Sequence, residues 1–135
     1  MKRRFPELTL CINGGITSLD QARDLLAQGL DGVMLGRAAY HDPASVLIGA
    51  DALWGDSFAP DPVQVVQAMR PYIAGHLAAV GRIHAITRHM LGLFHGRPGA
   101  RAWRRGLSEG AGRAGAGLEL IDAALEAMQG PVIGA

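Results

Sequence analysis

The sequence holds a single cysteine, Cys11. That excludes an internal disulfide and suits a reducing compartment. No apolar run approaches the ~20 residues that a membrane-spanning helix needs. The basic start, MKRRFPEL, carries no apolar core of the kind found in a secretory leader. These absences lead to the expectation of a soluble cytoplasmic protein. Global charge is nearly absent as well: the net is +1, so the total says nothing about partners. The chain contains no internal repeat. Its 135 residues are enough for one modest domain.

What is present begins with Leu8 to Tyr40, LTLCINGGITSLDQARDLLAQGLDGVMLGRAAY. Two short apolar runs, Leu8 to Ile12 and Gly32 to Leu35, each end in a glycine-bearing turn. Runs of this kind suit fully buried parallel strands. A helix over Ser18 to Gln28 lies between them, with Ser18 and Gln21 as a capping box and Gly29 as its stop. Leu19, Ala22, Leu25 and Leu26 form its inward stripe. Cys11 reads as a small buried residue of the first strand, and Asp31 as a turn residue rather than a catalytic acid.

In a right-handed crossover the C-terminal ends of both strands open on one side of the sheet. The Asn13-Gly14-Gly15 turn and the Gly36-Arg37 turn are therefore expected side by side. Glycine permits positive φ and close approach of the backbone to a ligand. Free amides at such turns, and at the helix starts that follow, hold anions. Arg37 adds a forked cationic donor suited to phosphate. In (β/α)₈ barrels a phosphate site of this kind often follows the seventh and eighth strands, but a complete barrel takes roughly 250 residues.

Ala44 to Leu53 is mostly apolar, and Ser57 to Pro60 reads as a linker. From Asp61 the pattern is helical. Asp61 caps and Pro62 takes the first helical position. Val66, Met69, Ile73, Leu77 and Val80 form one stripe, with a kink expected at Pro71 and an end at Gly81. A second helix is predicted over Ile83 to Phe94, with Ile83, Ile86, Met90, Leu93 and Phe94 on its core face. A third covers Ala100 to Glu109, and the glycines from Gly106 to Gly117 predict a flexible stretch after it. A last helix spans Leu118 to Gln129, and the tail from Gly130 is expected to fray.

Between Arg82 and Arg113 stand seven arginines and one acid, Glu109, a local net of +6. No lysine is among them. Arg101, Arg104, Arg105 and Ser108 share one side of a helix, while Ala100, Trp103 and Leu107 share the other. Such a face is either a solvated surface or a surface for RNA or another polyphosphate, which arginine binds by charge and bidentate hydrogen bonds. The histidines lack a close carboxylate partner, so no metal site is expected.

The strings INGGI, DGVMLGRAAYHDP and TRHMLGLFHGRPGARAWRRGLSE resemble the C-terminal part of the tRNA-dihydrouridine synthases, A-type subfamily. The likeness covers nearly the whole chain and is weakest after Glu109. It implies an oxidoreductase, a flavoprotein that uses FMN and NADPH to reduce uridine in the tRNA D-loop. The implied fold is α/β followed by all-α: the last βαβ part of a TIM barrel over residues 1–56, then a C-terminal helical bundle that binds tRNA over residues 61–135. By the same resemblance Asn13, Gly14, Gly15, Gly36 and Arg37 match the FMN phosphate site. Arg101 and Arg104 match tRNA-gripping arginines, and Arg105, Arg97 and His89 lie beside them. The family's proton-donating cysteine belongs to the barrel upstream of the matched stretch, and Cys11 is not assigned that role. The chain is thus expected to correspond to a C-terminal portion, inactive alone and prone to self-association through exposed strand edges. Two alternatives stay open: a non-catalytic RNA-binding helical module with a remnant phosphate-binding unit, and a fragment of another FMN barrel oxidoreductase.

Overall fold

A computed structural model describes residues 1–130 of the chain. The polypeptide divides into two compact units, residues 1–59 and 60–135. Residues 131–135 lie outside the described part, and with them most of the tail expected to fray.

The first unit is built on a two-stranded parallel sheet. Strand β1 (Cys11–Asn13) pairs with β2 (Gly32–Met34), joined by helix α1 (Leu19–Ala27). The register sets Cys11 opposite Gly32 and Asn13 opposite Met34, so both strands end at the same edge. Helices α2 (Gly36–His41) and α3 (Pro43–Leu47) follow, then a 3₁₀ turn over Ala50–Trp54. Ala22 is fully buried on α1, while Leu19, Leu25 and Leu26 are half-buried, which makes the predicted stripe the packing face.

Three expectations for this unit need correction. The strands are shorter than the apolar runs, and β1 begins three residues later than predicted. Neither strand is fully buried among the described residues, and each has only one strand neighbour in the two-stranded sheet. Cys11 is exposed. Its sulfur packs over Gly32, where an added Cβ would fall 2.5 Å from it.

Asp31 does more than turn the chain. Its carboxylate accepts the Leu10 N–H at 2.7 Å and the Lys2 ammonium at 2.7 Å. The Asp31 N–H donates to the Leu10 carbonyl at 2.9 Å. The lead-in, β1 and the start of β2 are thereby tied together. The Leu10 amide, and after it Lys2, holds the Asp31 carboxyl below its ordinary value of 3.8.

The second unit, as far as it is described, is helical: α4 (Pro62–Ala78), α5 (His84–Thr87), α6 (Ala100–Gly110) and α7 (Leu118–Met128). Asp61 and Gln64 form a complete capping box at the start of α4, with Pro62 in the first turn. The helix continues through Pro71. It ends at Ala78, with Ala79 as its C-cap, and not at Gly81. The Val80 N–H donates to the Leu77 carbonyl and the Gly81 N–H to the His76 carbonyl, a Schellman pairing. Val80 holds the left-handed position, φ 67°, that glycine normally fills.

The helix predicted over Ile83–Phe94 shrinks to four residues. From Ile86 the chain runs in i→i+3 turns, shown by bonds from His89 N–H to Ile86 O, Met90 N–H to Thr87 O and Leu93 N–H to Met90 O. Trp103 explains part of this: its indole N–H donates to the Met90 carbonyl at 2.9 Å, an acceptor that a continuous α-helix would use itself. The predicted core residues are nevertheless all buried. Phe94 meets Trp103 edge to face, centroids 4.9 Å apart, and both are about 1% exposed or less.

Helices α6 and α7 pack against each other, and this decides the fate of the glycines. An added Cβ on Gly106 would lie 3.3 Å from Ala124 Cβ, and one on Gly99 would strike the backbone of Met128. Gly106 and Gly110 are thus helical, so of the stretch expected to be flexible only residues 111–117 lie in a loop. Arg70 and Asp122 join α4 to α7 by two bonds, at 2.6 and 3.3 Å. Asp122 raises the Arg70 pKa.

Candidate functional site

Because β1 and β2 run parallel and in register, the turns that follow them open at one edge. Between those turns lies a cavity of about 570 Å³. Asn13, Gly14, Gly15, Gly36 and Arg37 all line it, so the five residues matched to a phosphate site are brought together.

The physical basis is clear at the glycines. Gly14 has φ 120° and Gly15 has φ 68°, values that L side chains rarely adopt. Nothing lies within 4 Å of a Cβ built on either residue, so a side chain there would project into open space at the cavity. The backbone is thus bare where a ligand would approach. Arg37 is exposed and forms no ion pair among the described residues. Leu35 gives no side-chain cap to α2, which leaves first-turn N–H groups beside the cavity without that partner. With six residues, α2 contributes through those individual groups and not through a long macrodipole.

The first helix start behaves otherwise. Ser18 Oγ accepts the Gln21 N–H at 3.2 Å. Gln21 Oε1 accepts the Thr17 N–H at 2.8 Å and the Thr17 hydroxyl at 3.2 Å. The capping box predicted at Ser18 and Gln21 reaches back to Thr17. It thereby uses amides that were expected to serve an anion. The donors available at this side are those of the Gly14-Gly15 turn.

Sequence reasoning missed Thr17, Met34 and His41 as cavity residues. His41 stands four residues after Arg37 on α2, a spacing that places both on one side of the helix and was available as a signal. The pairing of Asn13 with Met34 brings Met34 to the same edge, which no local pattern reveals.

The arginines of the second unit separate into two groups. Arg97 Nη1 binds Asp61 Oδ2 at 2.7 Å, and both side chains are half exposed. Arg97 and then the Val63 amide hold the Asp61 carboxyl below its ordinary value of 3.8. Arg97 is thus engaged in closing the cap of α4. Arg101, Arg104 and Arg105 are exposed on α6, opposite buried Trp103 and Leu107, and none has an acid partner among the described residues. Their charge is uncompensated. His89 accepts the Arg88 Nε–H at 2.9 Å and is exposed. It lies in the turns after α5 and outside α6.

Among the described residues no group of three or more His, Cys, Asp or Glu could hold a metal ion. No described helix is long and apolar enough to cross a membrane.

A family model described as dihydrouridine synthase (Dus) matches residues 1–129. The chain is 51% identical over 130 residues to a tRNA-dihydrouridine(20/20a) synthase of Shewanella oneidensis, covering 96% of this chain and 38% of that protein. It is 50% identical over 127 residues to the proteins of the same description from Salmonella typhimurium and Escherichia coli, covering 93% of this chain and 38% and 36% of those proteins. The sequence thus spans little more than a third of the length of these relatives. With the match extending over almost every residue, the chain belongs to the dihydrouridine synthase family.

Proposed function

We propose that the chain supplies two parts of a flavin-dependent tRNA-dihydrouridine synthase: the phosphate end of the FMN site, and an arginine face that holds tRNA. The first unit is read as the last strand–helix–strand portion of a TIM barrel, and the second as a helical tRNA-binding domain. The observation that carries this reading is the convergence of both glycine turns and Arg37 on one cavity at one sheet edge.

The residues fit an FMN phosphate. The bare Gly14-Gly15 backbone offers amides to phosphate oxygens, and Arg37 offers a charged fork. A bound FMN, with NADPH as its reductant, would supply hydride transfer to the uracil ring. The chain's own residues anchor the cofactor's anionic end and orient it from the sheet edge. Cys11 has its sulfur against Gly32 and receives no proton-donating role in this reading. Arg101, Arg104 and Arg105 neutralise tRNA phosphates, with Arg97 and His89 next to them in the chain. This chain assayed alone with NADPH and unmodified tRNA is expected to show no turnover.

A flavin fluorescence titration tests the reading. FMN should quench on binding, and Arg37→Ala or Gly15→Val should weaken its affinity about tenfold, the loss of one charge-assisted phosphate contact. Equal affinity in wild type and both variants would refute the phosphate assignment. Retained tRNA binding without any flavin binding would favour the alternative of a free-standing RNA-binding module.

A further inference from the structure

The second unit holds a groove that the arginine face of α6 does not enter. Its volume is about 940 Å³, and its walls are the α4–α5 connection with α5 on one side and the loop over residues 111–117 on the other. Arg82, His84, Arg88 and Arg113 line it, and none of Arg101, Arg104 and Arg105 does. We infer that this groove is a second phosphodiester track, which holds a stretch of RNA backbone apart from the α6 contact. The inference rests on the tRNA reading above and extends it.

Charge is the first support. Arg82, Arg88 and Arg113 are exposed, and no acid lines the groove. None of the three is paired with a carboxylate among the described residues, in contrast to Arg70 and Arg97, which are. Arg88 spends only its Nε–H, on His89, and keeps both terminal nitrogens. Three uncompensated cations around one groove repel each other, and a bound polyanion relieves that repulsion.

Lining chemistry is the second support. No Phe, Tyr or Trp faces the groove, so it offers no platform on which bases stack. What it offers is guanidinium forks and a glycine-rich backbone. Gly112 and Gly115 have open space around them, and a strand can come close to the loop there. The loop ends are fixed. Gly110 sits against Leu120, and the Gly117 N–H is held by Glu119 Oε1 at 2.6 Å. The opposite wall is fixed by the packing of His76 on Gly81, with His76 Nε2 3.2 Å from the Arg82 carbonyl. A basic groove pinned at the ends of its loop and free of aromatic side chains suits a phosphate backbone of any sequence.

The test is the salt dependence of tRNA binding by the 135-residue chain, measured by fluorescence anisotropy with an unmodified tRNA transcript. Compared with it are Arg82→Gln/Arg88→Gln/Arg113→Gln, the charge-keeping Lys triple at the same positions, and a control triple Arg3→Gln/Arg4→Gln/Arg23→Gln that removes equal charge elsewhere. The groove triple should lower the slope of log K against log salt by about 2–3 and weaken binding about 10²-fold at low salt. It should do so equally for tRNA and for an unrelated RNA of equal length. The Lys triple should regain most of the slope, which also excludes misfolding as the cause. A groove triple that matches the wild type or the control triple overturns the second track alone. Loss of affinity for a competing acidic peptide, with RNA binding intact, overturns it in favour of a protein partner. Failure of the unsubstituted chain to bind RNA overturns both this inference and the tRNA reading.

Discussion

Among the described residues the first unit buries three hydrophobic side chains, Ile16, Ala22 and Val46, whereas the second buries twelve around Trp103 and Phe94. Exposure runs the opposite way. Leu8, Met34, Tyr40, Leu47, Trp54 and Phe58 stand open in the first unit, while Val63, Tyr72 and Val80 do so in the second. Buried apolar area is the main source of folding free energy, at roughly 25 cal/mol per Å². The second unit therefore carries its own core, and the first has a two-stranded sheet with more exposed apolar side chains among the described residues. The contrast matches their proposed tasks. A parallel sheet is normally covered on both faces, and this chain spans little more than a third of its relatives. The arginine face instead needs only a rigid helix behind it.

The strongest way to break the contrast is Trp103→Ala. It removes the largest buried side chain together with the indole bond to Met90. The expected loss is about 3–5 kcal/mol in the second unit. Unfolding followed by amide signals should report the loss there, with the Gly14 and Gly36 signals unchanged. Equal loss of the two sets of signals would mean that the units melt as one.

A smaller effect of opposite sign is expected at Val80. A β-branched residue in the left-handed region costs roughly 1–2 kcal/mol, and this side chain is 94% exposed, so its removal sacrifices no packing. Val80→Gly should raise stability by about 1 kcal/mol after the entropy that glycine adds to the unfolded chain. A fall in thermal midpoint would show that the turn is not strained as described.

The smallest effect is electrostatic. The Asp61 carboxyl is held below 3.8 by Arg97, so its charged form is favoured by folding. Its contribution is present above pH 3.8 and is lost as pH falls through the lower, folded value. Asp61→Asn keeps an N-cap acceptor but no charge. The wild type should therefore lose more stability than this variant as pH drops below 3.8. Parallel pH curves would place the Arg97 contact outside the energetics of the cap.

These differences also explain what could be read from the residues. The α1 stripe, the Asp61-Pro62 start and the split of α6 into an arginine side and a Trp103 side follow from local period and cap chemistry. Such signals survive because tertiary packing reinforces them. The helix predicted to Phe94 did not survive, because its apolar pattern fits any buried segment and the Met90 carbonyl is claimed by a tryptophan 13 residues away. Cys11 misled for a related reason: an apolar run marks a residue for burial, but only a neighbouring strand or layer can bury it. At the candidate site the glycines, Asn13 and Arg37 were legible because each stands at a turn. His41 was legible through its four-residue spacing from Arg37 on α2, whereas Met34 was not, since its place depends on strand register.

The central claim is that the Gly14-Gly15 and Gly36-Arg37 turns together hold a phosphate. Amide chemical shifts of the labelled chain, titrated with FMN, riboflavin and inorganic phosphate, test it at each residue. FMN and inorganic phosphate should both move Gly14, Gly15, Gly36 and Arg37, and riboflavin, which lacks the phosphate, should leave them in place. Equal shifts with riboflavin, or shifts at one turn without the other, would contradict the account.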